Sequence, residues 1–128
     1  MAVVKADAYG HGAVEVARAC IEAGADSLAV VTVEEGDELR RAGLEAPILV
    51  FTDLMPDRLS LAAERNLEVT AHSLESARRI AAHPGLNVHL KVNTGMNRWG
   101  VEPSEVGEAR KILGARLAGV YTLSLIHI

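Results

Sequence analysis

Short apolar runs rich in valine and leucine recur every twenty to thirty residues along the chain, at 1–4, 27–31, 47–51, 67–70, 87–92 and 117–122. Runs of this length bounded by glycine, proline or polar residues read as buried strands. Helical periodicity fills the gaps between them. Residues 13–23 place Val16, Ala17, Cys20 and Ile21 on one face, and Gly24 supplies the stop. Thr32-Val33-Glu34-Glu35 is a capping box, in which hydroxyl and carboxylate satisfy first-turn amides, and its helix ends at Gly43. A weaker helix starts at Met55-Pro56-Asp57. Ser73 caps a fourth helix with Leu74, Ala77, Ile80 and Ala81 inward. Pro103-Ser104 opens a fifth, with Val106, Ala109, Ile112 and Leu113 inward and Gly114 at its end.

Strict β-α alternation requires crossover connections, hence parallel strands covered by helices. An open doubly wound sheet and a closed (β/α)8 barrel both meet that requirement. The turn after the first strand, Lys5-Ala6-Asp7-Ala8-Tyr9-Gly10-His11-Gly12, lacks the G-x-G-x-x-G nucleotide fingerprint and shifts the weight to the barrel. A complete barrel takes about 250 residues. The 128 residues here hold five to six of eight β/α units, so the fold class is α/β, a partial (β/α)8 TIM-type barrel with parallel strands. Its first and last strands are expected to be unpaired edges that invite self-association.

Composition narrows the picture. Aromatic residues are 3% of the chain, so a core has to be built from Ala, Val, Leu and Ile, which suits helices on parallel strands. With net charge −4 and basic residues scattered singly or in pairs, no footprint for nucleic acid is present. The apolar runs are too short to cross a bilayer, and the N-terminus lacks the ordered regions of a signal peptide. Single Cys20 excludes an intrachain disulfide and fits a reducing compartment, so cytoplasm is the expected location. No histidine shows metal-ligand spacing.

In a barrel, reactive groups sit where strands end and loops begin. Two segments meet that condition. Lys5 follows an apolar strand; it is either a rim lysine or a partly desolvated amine, and desolvation makes an amine a better nucleophile toward carbonyls. Gly10 and Gly12 allow close approach to a ligand, and the helix start at Ala13 offers free amides to a phosphate. The second segment runs from Asn87 to Arg98. Alternation puts Val88, Leu90 and Val92 on one face and Asn87, His89, Lys91 and Asn93 on the other. A polar stripe on a strand expected to be buried needs partners.

Val4-Lys5-Ala6-Asp7-Ala8-Tyr9-Gly10-His11-Gly12 closely resembles the pyridoxal-phosphate attachment signature of bacterial alanine racemases. Leu90-Lys91-Val92-Asn93-Thr94-Gly95-Met96-Asn97-Arg98 resembles that family's second hallmark, and the stretch from Glu35 to Phe51 is also similar to it. By that resemblance Lys5 matches the lysine joined covalently to pyridoxal 5'-phosphate, the base on the D-alanine side. Tyr9 matches a contact of the cofactor's phosphate. Arg98 matches the arginine near the cofactor's phenolic oxygen and the substrate carboxylate. Lys91 matches a lysine carbamylated in many members, and Asp7 and His11 take structural roles. The resemblance implies interconversion of L- and D-alanine, supplying D-alanine for peptidoglycan. Related barrel racemases acting on serine or other amino acids, and non-catalytic pyridoxal-phosphate-binding proteins of cofactor homeostasis, share the barrel.

Departures from the pattern shape the remaining expectations. Asn93 stands where many members have Asp, and Trp99 replaces a more usual Leu. Residues 1–122 read as part of the family's N-terminal barrel, whereas 123–128 depart from it and His127 receives no function. Family members begin with a strand and helix upstream of the lysine motif, which makes Met1 an internal position of a longer, homodimeric parent. The family's second base is a tyrosine of a C-terminal β domain presented across the dimer interface. No such domain is contained here, so the chain by itself is expected to be inactive.

Overall fold

A computed structural model describes residues 1–124 of the chain. Six strands pair in parallel in the order β1-β2-β3-β4-β5-β6: β1 (Ala2–Val3), β2 (Leu28–Val30), β3 (Ile48–Val50), β4 (Glu68–Ala71), β5 (Val88–Lys91) and β6 (Leu117–Tyr121). Sequential parallel order without a reversal is the arrangement of a barrel wall, and the six strands form a half-barrel. Residues 125–128, which include most of the expected departing tail, lie outside the described residues.

Helices α2 (Ala13–Glu22), α3 (Val33–Arg41), α4 (Pro56–Glu64), α5 (Leu74–Ala81) and α6 (Val106–Leu113) cover the outer face. Their starts follow local chemistry. The Thr32 hydroxyl accepts from the Glu35 amide at the head of α3, and the Ser73 hydroxyl accepts from the Ser76 amide at the head of α5. Proline sits in the first turn of α4, and a 3-10 turn, Pro103–Glu105, leads into α6. In α2 the fully buried positions are Ala13 and Ala17, while Val16, Cys20 and Ile21 of the expected apolar face are half-buried.

Alternation along each strand sorts the two faces of the sheet. Leu28, Val30, Ile48, Val50, Val69, Ala71, Val88 and Leu90 point outward and are buried against the helices. The register aligns Ala29 with Leu49 and Glu68, Thr70 with His89 and Gly119, and Lys91 with Tyr121, which together line the concave inner face. The expected polar stripe on β5 is therefore the inner wall. His89 finds a partner there, with its Nε2 2.8 Å from Glu68 Oε2. Gly119 is small for a reason, because a Cβ at that position would lie 2.7 Å from His89 Nδ1. Ala118 is an extra residue between the pairs Val88–Leu117 and His89–Gly119, a bulge that adjusts the pairing of β6. β1 and β6 are the open edges, as expected, and Val3 and Val120 on them are exposed.

Candidate active site

The carboxyl ends of the strands surround a cavity of about 520 Å³ lined by Lys5, Tyr9, Lys91 and Arg98, all four residues singled out from the sequence. Phe51, Thr52, Trp99, Tyr121 and Thr122 complete most of its wall. Three cationic side chains and no carboxylate line it among the described residues.

Lys5 begins a one-turn segment, α1 (Lys5–Gly10), whose interior is left-handed: Ala6, Asp7, Ala8 and Tyr9 have φ between 50° and 56°. L-residues resist this conformation by roughly 1–2 kcal/mol each, so surrounding bonds have to hold it. The Val4 carbonyl accepts from the Ala8 amide at 3.0 Å, and the Asp7 carbonyl accepts from the His11 and Gly12 amides at 2.9 and 3.0 Å. His11 Nδ1 donates to the Ala8 carbonyl at 2.9 Å. Glu35 Oε1 accepts from the Ala6 amide at 2.8 Å. The turn brings the Tyr9 ring beneath the Lys5 amine, with Nζ 5.8 Å from the ring centroid. One expectation is corrected here. The Ala13 amide at the head of α2 is not free for a phosphate, because Asp7 Oδ1 accepts its hydrogen at 2.7 Å. A short polar residue six positions upstream competes successfully for that donor.

Lys91 ends β5 on the inner wall and is only 5% exposed. Burial pushes its amine pKa down, and the neighbouring Arg98 guanidinium pushes it further the same way. No carboxylate forms an ion pair with Lys91 or Arg98 among the described residues. The loop that carries Arg98 is folded back onto β5: the Val101 amide donates to the Lys91 carbonyl at 2.9 Å and the Asn93 amide to the Val101 carbonyl at 2.8 Å. Asn93 organises its interior. Its Oδ1 accepts from the Gly95 and Asn97 amides, while its Nδ2 donates to Asn97 Oδ1 and Glu102 Oε1, both at 2.9 Å. The donor half of that set needs an amide and would be lost in an aspartate.

Sequence reasoning gave His72 no role, since its only local signal was the adjoining Ser73 cap. It is buried, its Nε2 donates to the Phe51 carbonyl at 2.6 Å, and its ring centroid lies 5.1 Å from that of Trp99. Burial lowers its pKa, opposed by the Phe51 carbonyl and Asp53 and reinforced by Lys91, and its buried Nδ1 has no hydrogen-bond partner among the described residues. Tyr121 was read only as part of the last strand. Its hydroxyl lies 3.2 Å from Thr70 Oγ1 and its ring centroid 5.7 Å from that of Phe51, and burial raises its pKa against the opposing Thr70 hydrogen bond. Tyr121 lines the cavity and His72 backs its Trp99, and both acquire these contacts across the sheet, which local sequence does not display.

Residues 1–125 match the family described as alanine racemase, N-terminal domain. The chain belongs to that family. The alanine racemase of Desulforamulus reducens is 46% identical over 95% of this chain and 36% of its own length. Alanine racemase 1 of Bacillus subtilis is 48% identical over 82% of this chain and 28% of its own. Among solved structures, the alanine racemase from E. faecalis superposes with a TM-score of 0.87 at 34% identity, covering 97% of this chain and 37% of that one. An alanine racemase of Clostridium difficile in complex with cycloserine gives a TM-score of 0.84 at 36% identity over 97% of this chain and 37% of its own. The chain thus spans about a third of the length of the alanine racemases it matches. The matched region contains both segments singled out from the sequence, 4–12 and 90–98, and the fold brings residues of both to one cavity.

Proposed function

We propose that the chain is the lysine-bearing part of a pyridoxal-phosphate-dependent alanine racemase, in which Lys5, Tyr9 and Arg98 hold the cofactor and Arg98 the substrate carboxylate. The observation that carries this reading is the cavity shared by the Lys5 amine and two further cations with no carboxylate in its wall. Pyridoxal 5'-phosphate offers an aldehyde, a phosphate and a phenolic oxygen. The residues present fit those groups: an amine for the aldehyde, a tyrosine hydroxyl as a phosphate donor, and a planar, permanently charged guanidinium for anionic oxygens. A cavity of about 520 Å³ is also within the ordinary range for a small-molecule site.

When bound, the cofactor supplies the electron sink that stabilises negative charge at the substrate's Cα. The chain's own contribution is positional and electrostatic. Lys5 Nζ, when neutral, takes and returns a proton on one face of Cα. Arg98 fixes the carboxylate and so the direction in which the Cα–H bond points. Phe51, Trp99 and Tyr121 give that side of the cavity an aromatic wall. Lys91 complements Arg98 through carbamylation: its neutral amine adds to CO₂, losing a proton, and the resulting anion stands beside the guanidinium. Its lowered pKa and its lack of a carboxylate partner among the described residues support this.

Racemisation needs a second acid-base group on the opposite face. The reading assigns that group, and the homodimer that presents it, to a longer cytoplasmic parent. The test compares the parent, its Lys5→Ala variant and the 128-residue chain, each with pyridoxal phosphate, by conversion of L-alanine to D-alanine. The parent is expected to racemise alanine, with Lys5→Ala and the isolated chain inactive. Turnover by Lys5→Ala, a preference for serine, or cofactor binding by the parent without turnover would contradict it.

A further inference from the structure

We propose that Glu35, which none of the functional readings uses, is a positioning residue for Lys5, acting through the backbone amide of Ala6. The capping box at the head of α3 requires two bonds, from the Glu35 amide to Thr32 Oγ1 at 3.2 Å and from the Thr32 amide to Glu35 Oε2 at 3.1 Å. The carboxylate makes two more, and they are the shortest of the set: Val31 N–H to Oε2 at 2.7 Å and Ala6 N–H to Oε1 at 2.8 Å. Distances of this kind mark charge-assisted bonds. Val31 directly follows β2, whereas Ala6 lies on α1, 29 positions away in sequence from Glu35. One carboxylate therefore ties the end of β2 to the peptide that joins Lys5 to Ala6.

That peptide is where constraint matters. Ala6 is the first of the four left-handed residues, at φ 50° and ψ 54°, and carries no glycine's freedom. The other bonds that hold the turn come from within residues 4–13. That stretch is anchored at its ends, where the Val4 amide donates to the Ala29 carbonyl of β2 at 2.9 Å and Ala13 begins α2, so these bonds leave the middle of the turn without a tie to the sheet. Among the described residues, the Glu35 bond is the hydrogen bond that fastens the left-handed run to an element distant in sequence, since the Asp7 carboxylate reaches only Ala13 at the head of the following helix α2. Releasing it would let the turn and the Lys5 Cα move relative to Lys91 and Arg98 while leaving the helices and sheet intact.

The inference rests on the assignment of Lys5 as the cofactor lysine, and two readouts separate the claims. The chain contains three lysines, and exposed Lys111 is an internal control for Lys5. Pyridoxal phosphate is added to the chain, the adduct reduced with borohydride, and the ratio of label at Lys5 to label at Lys111 measured by peptide mapping. Amide hydrogen exchange is followed at Ala6, Leu49 and Val50 in the same samples. Glu35→Gln turns one acceptor into a donor facing an N–H, Glu35→Asp withdraws the carboxylate by one carbon, and Thr32→Ala removes only the hydroxyl cap. In Glu35→Gln, exchange at Ala6 is expected to rise and the label ratio to fall, each by about tenfold or more, with Leu49 and Val50 still protected. Thr32→Ala should change neither by more than about twofold. If Glu35→Gln opens β3 as well, Glu35→Asp supplies the comparison with charge retained. Unchanged exchange at Ala6, or an unchanged label ratio once Ala6 is released, overturns the inference. Absence of any preference for Lys5 in the unsubstituted chain overturns the cofactor assignment instead, and Ala6 exchange alone then decides the positioning role.

Discussion

Lys91 combines a buried amine with a cationic neighbour, and its energetics follow from that pairing. Its folded-state pKa lies below the ordinary value of 10.5, first because burial disfavours the ammonium and second because Arg98 repels it. Between those two pKa values the folded chain binds fewer protons than the unfolded one, so stability is lost as the pH falls through that window. Lys91→Met removes the penalty. In CO₂-free buffer, where the amine is unmodified, chemical denaturation at pH 7 should find this variant as stable as the original or more stable by about 1 kcal/mol, with the gap closing above pH 10.5. A loss of more than about 2 kcal/mol would show that the amine has a favourable partner in the folded state. Lys5, Tyr9, Lys91 and Arg98, which line one cavity, were legible as candidates because two contiguous motifs carry them. His72 and Tyr121 were not, since each acquires its contacts, the Phe51 carbonyl and the Thr70 hydroxyl, from a strand some twenty or fifty positions away. The unpaired Nδ1 of His72 has no counterpart in any local pattern.

At the level of elements, the chain's punctuation reported strand and helix positions well. The capping residues Thr32 and Ser73 and the prolines at 56 and 103 mark helix starts to within a few residues, because each satisfies or removes an orphan amide locally. The left-handed turn at Ala6–Tyr9 was not legible. Alanine, aspartate and tyrosine signal nothing of the kind, and the conformation is imposed by Val4, Asp7, His11 and Glu35 acting together. The Arg98 loop is held in a comparable way, and Gly100 is its critical point. It has φ 132°, and a Cβ there would lie 2.7 Å from the Asn93 nitrogen and 2.9 Å from the Val92 carbonyl carbon. Backbone atoms cannot yield as a flexible side chain would. Gly100→Ala should therefore destabilise the chain by about 2 kcal/mol or more, with the largest increase in amide exchange at Asn93 and Val101, whose bonds to the Val101 and Lys91 carbonyls it breaks. Substitution without change in denaturation midpoint would mean that the loop is not docked on β5 as described.

Across the whole molecule, the same half-barrel that assembles the cavity leaves two sheet edges and part of an inner face uncovered. Among the described residues β1 and β6 each pair on one side only, and Met1, Val3, Val120 and Leu123 are exposed on or beside them. Sedimentation of the chain should show concentration-dependent association, and a strictly monomeric species at high concentration would contradict this account of the edges. The partial barrel followed from strict β-α alternation without a nucleotide fingerprint, whereas the coincidence of Lys5, Lys91 and Arg98 in one hollow depends on strand order, which alternation alone leaves open. That coincidence is the central claim, and its consequence is selective chemistry at one lysine of three. Reduction of the pyridoxal-phosphate adduct followed by peptide mapping reads it directly: label concentrated at Lys5 is the predicted result, and label spread evenly over Lys5, Lys91 and Lys111, or concentrated at either of the others, would contradict it.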